Sequence, residues 1–345
     1  MLDDSMIRKH FSDQAAACER LGSTFYGRFV AQCGARLGRE TAIERLVLGW
    51  PGQPRTDALA LRFLGLVRYL ALEGHTGLQR LYDGDGSVSP SDWRVIQAAL
   101  VAAGERGMRF LQAPVQTNEV GRCFALQAAF RYLTAESGLP LDLYEVGASA
   151  GLNMLWDNWC YDVSGCRWGD RSAPITLHAQ WSGNTLAEGR PRVVGRRASD
   201  LCPLDVTRVA DQLRLLSYVW PDQSERIDRT KLALARFVDS GLIVEAGEAE
   251  GWVRANLPAS RPGVLRVVYH SIMQQYLTRA EWERFRALLW ERGAAATADS
   301  PLCWVRLEPC ASGAHAELSL VSWPGARAQL LAECDFQGRW LRWLA

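Results

Sequence analysis

The sequence has almost no lysine: Lys9 and Lys231 stand alone among 39 basic residues, the rest being arginine. It has no excess of either sign, because 39 basic residues face 38 acidic ones and leave a net charge of +1. A nucleic-acid surface shows itself as a basic surplus or stripe, so no nucleic-acid partner is expected. Long apolar runs are missing too. The run from Val95 to Gly104 is far shorter than the ~20 residues that span a bilayer. The opening Met1-Leu2-Asp3-Asp4-Ser5 carries acids where a secretory leader needs cations, and no apolar segment follows. A cytoplasmic chain away from membranes is the expectation. The nine cysteines never form C-x-x-C, and His10, His75, His178 and His315 share no ligand spacing. Neither a disulfide framework nor a metal site is expected.

What is present is ordinary globular material: 345 residues, 48% hydrophobic and 22% charged, enough for one large domain or two. Up to about residue 135 apolar residues recur at helical spacing, in Met6–Gly22, Ala42–Trp50, Ala58–Leu72, 91–113 and 119–135. Past Gly138-Leu139-Pro140 the character changes. Short β-rich runs at 141–146, 192–197, 242–246, 264–270 and 302–308 alternate with helical stretches at 151–159, 207–218, 223–239, 249–256 and 278–292. Such alternation predicts a parallel sheet with crossover helices. Three further runs, 317–323, 327–333 and 339–344, are separated by turns and predict an antiparallel finish. The expected fold is α/β. A helical domain or cap (1–137) precedes a Rossmann-like, mostly parallel sheet (138–345) with an antiparallel C-terminal edge and an insertion at 156–190.

Chemistry should gather where the first strand turns into its helix, Glu145-Val146-Gly147-Ala148-Ser149-Ala150-Gly151-Leu152-Asn153. In a doubly wound sheet that turn lies at the carboxyl edge, beside the reversal of strand order where ligands bind. Gly147 and Gly151 would admit a ligand close to the backbone. The loop lacks the third glycine of the dinucleotide fingerprint and the Gly-Lys-Ser/Thr ending of a P-loop, which disfavours nicotinamide cofactors and nucleoside triphosphates.

This stretch resembles motif I of the class I S-adenosylmethionine-dependent methyltransferases, Glu/Asp-x-Gly-x-Gly/Ser-x-Gly, with Glu145, Gly147, Ser149 and Gly151 in its four positions. The resemblance implies a loop around the methionine part of the cofactor, continued by Asn153. It also implies that Asp200, at the end of the second strand, holds the ribose hydroxyls and that Glu248 meets the adenine amino group. In such folds a ribose acid stands about twenty residues beyond the loop, whereas Asp200 lies 49 residues beyond Gly151. Residues 156–190, with Trp159, Tyr161, Trp168, Asp170 and Trp181, would be the insertion that makes the difference, as a lid, a specificity element or a remodelling of the site. Over nearly its whole length the chain is also similar to the bacterial family of unknown function numbered 2332. The similarity rests on Val115–Cys123, Glu145–Asn153, Trp168-Gly169-Asp170, Trp220-Pro221-Asp222-Gln223, His270-Ser271 and Gly338-Arg339-Trp340, and it implies no established reaction.

His270, at the end of the fourth strand, is the candidate base, because an imidazole near its usual pKa of ~6.5 suits proton removal from an acceptor hydroxyl. Against this stands the usual role of a lone histidine, which is structural. Gln116, Asn118, Glu119, Arg122 and Tyr276 are candidates for contact with substrate or cleft. Thr117 or Asn118 could equally cap a helix, with Glu119 in its first turn. Asp222 is expected to cap the helix after it. Gly147-Ala148-Ser149-Ala150-Gly151 also fits a nucleophile elbow, so a serine esterase using Ser149, with Asp200 or Asp205 and His270 or His315, is an alternative. A ligand-binding protein without turnover is a third. The leading expectation is a methyltransferase-like enzyme using S-adenosylmethionine on a small molecule.

Overall fold

The computed structural model describes residues 3–186 and 188–345. Two compact units emerge: one holds the residues up to Thr117 together with Thr207–Lys231, the other Asn118–Val206 and Leu232–Ala345. The units are therefore cut elsewhere than at the 137/138 boundary expected from composition. The last helix before the sheet packs with the sheet, and an excursion between two strands joins the helices.

The helical unit contains α1 (Asp4–Arg20), α2 (Thr24–Arg36), α3 (Ala42–Leu48), α4 (Leu59–Leu72), the single turn α5 (Thr76–Gln79) and α6 (Pro90–Gln112). Side chains close the amino ends of α1, α2, α3, α5 and α6, as expected where orphan N–H groups need acceptors. Ser23 accepts from the Tyr26 amide, and Thr41 with Glu44 and Ser89 with Asp92 form reciprocal capping boxes. Phe11, Phe29, Phe63 and Val67 are fully buried in one apolar core. The excursion contributes a helix at Val209–Ser217 (α8) and the Tyr218–Trp220 segment, whose rings belong to that core. Gly65 has no side chain because Tyr218 occupies the space where a Cβ would stand. Asp222, expected to cap the following helix, reaches back instead. Its carboxylate accepts from the Ser23 hydroxyl at 2.7 and 2.9 Å and from the Phe25 amide at 3.2 Å.

The other unit opens with α7 (Cys123–Ser137), which ends at Gly138 in the left-handed conformation. The strands follow as β1 (Leu141–Val146), β2 (Cys160–Val163), β3 (Cys166–Gly169), β4 (Thr176–His178), β5 (Gln180–Gly183), β6 (Val193–Asp200), β7 (Glu245–Ala246), β8 (Leu265–Ser271), β9 (Leu302–Pro309), β10 (Ala316–Trp323), β11 (Arg327–Cys334) and β12 (Trp340–Trp343). The helices α9 (Ser224–Ser240, with residues up to Lys231 in the helical unit), α10 (Ala249–Asn256) and α11 (Arg279–Ala294) lie between them in the chain. One nine-stranded sheet runs β5-β12-β11-β10-β9-β8-β1-β6-β7. From β7 to β9 it is parallel, and from β9 to β12 antiparallel. Every residue of β1 and of β8 is buried, as befits central parallel strands covered on both faces. Asp142 is tolerated there because it accepts from the Tyr144 hydroxyl at 2.6 Å and pairs with Arg261.

The insertion at 156–190 carries strands of its own. Its strands form a separate sheet, β3-β2-β4, while β5 joins the main sheet beside β12. Tyr161 stacks on Trp168 with centroids 5.9 Å apart, and both meet Phe124 of α7. Trp156 lies 4.7 Å from Phe130 on the same helix. Aromatic burial of this size, roughly 2–3 kcal/mol per ring, fixes the insertion on α7. Among the described residues no helix is long and apolar enough to cross a membrane.

Candidate functional site

Numbered by their order along the chain, the five parallel strands β1, β6, β7, β8 and β9 lie side by side as 3-2-1-4-5. The order reverses between β1 and β8, and a crevice outside the carboxyl ends at such a reversal is where open α/β sheets bind ligands. Two non-glycine residues with left-handed backbones sit in the two loops that flank it: Ser149 (φ 56°) after β1 and Ile272 (φ 51°) after β8. A β-branched residue at positive φ is a genuine outlier, costing on the order of 1–3 kcal/mol, and such strain concentrates at functional sites.

Beneath these loops lies a buried polar cluster. Glu145, the acid in β1, is 1% exposed and accepts from the Tyr269 hydroxyl of β8 at 3.0 Å. Burial pushes its carboxyl up to about 8, the Asp200 charge adding to the effect while the Tyr269 hydrogen bond and Arg122 oppose it. Near neutral pH it is thus mostly a neutral acid, a form suited to donating a hydrogen bond. Asn153 accepts weakly from the Cys123 thiol at 3.3 Å and donates toward the Ser271 hydroxyl at 3.4 Å. Arg122 is buried, with guanidinium contacts to the carbonyls of Ser271 and Phe336. Asn118 caps the short helical turn after the loop, accepting from the Leu152 amide at 2.7 Å, and Glu119 accepts from the Gly121 amide at 2.9 Å. The cap of the turn that follows is thus Glu119 rather than Thr117 or Asn118, and Asn118 instead caps a turn 34 residues downstream. Gln116 is buried and belongs to the helical unit.

Asp200 ends β6. Its Oδ2 accepts from the Ser149 amide and its Oδ1 from the Cys202 amide, both at 2.9 Å, so it clamps the β1 loop to the next turn. A carboxylate has about four acceptor sites, and two remain for a ligand. Glu248 is exposed at the amino end of α10, where its side chain makes no capping bond. The two glycines behave otherwise than expected. Both have positive φ, 69° at Gly147 and 76° at Gly151. A Cβ at Gly147 would collide with Met273, and one at Gly151 with Phe237 and Val244. Protein side chains, not open space, lie against both positions.

His270 is not placed for base catalysis in this conformation. It is fully buried on the α11 face of β8, with ring centroids of Trp282, Phe285 and Trp304 about 6 Å away. Alternation along the strand sends Tyr269 and Ser271 to the polar cluster and His270 away from it. Its Nδ1 lies 2.6 Å from Glu308 Oε1, and its Nε2 has no partner among the described residues. Glu308 is the residue the sequence reasoning missed. Its Oε1 also accepts from the Met273 and Gln274 amides, at 3.0 and 3.2 Å, and so secures the strained turn after β8. The available signal was the acid that closes the β-run at 302–308. Tyr276 is exposed, beyond that turn. The hydrolase alternative needs a histidine on Ser149. Among the described residues the Nε2 of His270 and of His315 has no partner, and their Nδ1 atoms face Glu308 and Cys310.

Searches of curated proteins and of solved structures each gave no match. Over residues 8–343 the sequence matches the family model described as an uncharacterized protein conserved in bacteria, DUF2332.

Proposed function

The chain belongs to that bacterial family, and we propose that it is a methyltransferase-like protein that binds S-adenosylmethionine at the carboxyl edge of its sheet and acts on a small molecule in the cytoplasm. The observation that carries this reading is the 3-2-1-4-5 order with Glu145 and Asp200 at the ends of adjacent strands beside the reversal. The residues fit the cofactor in part. Asp200 keeps acceptor capacity for ribose hydroxyls, and Glu248 offers an exposed carboxylate for an adenine amino group. Gly147 and Gly151 serve packing, so the contact with the methionine part would fall to the backbone at 148–150 and to Asn153. S-adenosylmethionine carries an already activated methyl group, and what a protein adds is chiefly positioning. No base is assigned, since His270 faces the other side of the sheet.

Isothermal titration with S-adenosylmethionine and S-adenosylhomocysteine tests this on the full chain. Micromolar binding that weakens at least about tenfold in both Asp200→Asn and the surface variant Glu248→Gln is the expected result, a loss of ~1.4 kcal/mol or more. No heat with either ligand sinks the reading. Binding without methyl release across an acceptor panel would instead favour a ligand-binding role without turnover, which the filled glycine positions support.

A further inference from the structure

Between β9 and β10 the chain turns through Cys310-Ala311-Ser312-Gly313-Ala314-His315, at the carboxyl end of the fifth parallel strand. Three side chains meet there. Cys310 Sγ lies 3.2 Å from the Ser312 hydroxyl and 3.7 Å from His315 Nδ1. The hairpin is closed by Cys310 and His315 through an amide-to-carbonyl bond of 2.9 Å, so the pair is held in place by backbone rather than by chance rotamers. Ser312 also accepts from the Ala314 amide, which orients its hydroxyl. The other nitrogen of the imidazole, Nε2, is buried and has no partner among the described residues. Cys310 is 8% exposed, but residues 311–314 beside it are all exposed.

We propose that Cys310 is a reactive thiol site, a nucleophile that exchanges with the sulfur–sulfur bond of a small soluble disulfide, with Ser312 and His315 as its positioning groups. In the step, Cys310 Sγ attacks as thiolate and bonds to one sulfur of the disulfide. The sulfur–sulfur bond breaks, and the second sulfur leaves as a thiolate that takes a proton from water. Cys310 is oxidised to a mixed disulfide and the departing half is reduced to a thiol. The surroundings favour the attacking form: the Ser312 hydroxyl first, then the His315 amide, lower the thiol to about 7. Thiols whose pKa lies near the ambient pH are the best attackers, because a lower value costs intrinsic nucleophilicity. Relative to a free thiol near 8.5, the thiolate fraction at pH 7 rises roughly 15-fold and nucleophilicity falls roughly 5-fold, leaving about a threefold faster exchange.

The test is oxidised glutathione at limiting concentration on the full chain, with modified cysteines located by peptide mass mapping across pH 5.5–9. Cys166 and Cys202, which are exposed, serve as internal comparison. The expected result is modification of Cys310 ahead of both at pH 7, with a rate midpoint near pH 7. Ser312→Ala should move that midpoint upward. Cys310 lagging behind Cys166 and Cys202 at pH 7, or a midpoint near ~8.5, the free-thiol value, overturns the proposal. So does a midpoint unchanged in Ser312→Ala. The wild-type profile decides even where a variant fails to fold.

Discussion

Replacing Glu145 by glutamine should flatten the dependence of stability on pH. The folded chain holds this carboxyl proton up to about 8, whereas an ordinary glutamate releases it near 4.5. Between those values the folded state binds a proton that the unfolded state has lost, so wild-type stability falls as pH rises through the window and levels off above it. At ~1.4 kcal/mol per pH unit, the loss amounts to roughly 3 kcal/mol by pH 7 and roughly 4–5 kcal/mol in full. Glutamine is neutral throughout, has nearly the same shape and still accepts from Tyr269. Glu145→Gln should therefore match wild type near pH 4.5 and exceed it by about 3 kcal/mol at pH 7. Hydrogen exchange of peptides covering β1 and β8, with both proteins compared at each matched pH, reads the difference within this unit. Parallel profiles from pH 5 to 8 would show that Glu145 is ionised in the fold, and the neutral-acid role would go with it.

Gly147→Ala puts a methyl against Met273 at a φ of 69° and should cost about 2–4 kcal/mol. A double-mutant cycle with Met273→Ala, followed by urea unfolding, should recover part of that loss. Glu308→Ala strips three donors of their acceptor (His270 and the amides of Met273 and Gln274) and should cost roughly 3 kcal/mol or more. The same change should raise exchange at 271–277 more than at β1, and equal increases would deny the role given to Glu308. In the helical unit, Gly65→Ala should lower the melting temperature by several degrees by displacing Tyr218, and Tyr218→Ala in the same chain should make the added methyl harmless.

The sheet was legible because central parallel strands read as short apolar runs bounded by turn residues. The run at 141–146 coincides with β1, and those at 264–270 and 302–308 fall within a residue of β8 and β9. The helix at 249–256 is also where the sequence puts it. Helix α2 escaped notice because Gly27 and Gly34 interrupt its pattern. Both glycines are needed where the helix meets Glu19 and Phe11. The strands of the insertion are three or four residues long, too short for alternation to register. At the site, the acids Glu145 and Asp200 could be placed at strand ends from the sequence, but which face a strand-end residue takes depends on register. One position decides between Ser271, beside Asn153, and His270, among Trp282, Phe285 and Trp304. Gly147 and Gly151 carry the same limit. Sequence shows that a Cβ is unwelcome, not whether a ligand or Met273 is the reason.

The excursion Thr207–Lys231 has a consequence for how the chain comes off the ribosome. Residues up to Thr117 emerge early, yet their core still lacks Tyr218 and Trp220, which are made about a hundred residues later. The groove at Gly65 stays open through the synthesis of β1 to β6. Only when the chain has passed Lys231 can the first-made helices close, and only after β12 can the sheet that interrupts them. The amino-terminal helices therefore finish folding inside the schedule of the sheet, and a fragment ending at residue 117 or 137 should expose apolar surface rather than stand as a domain.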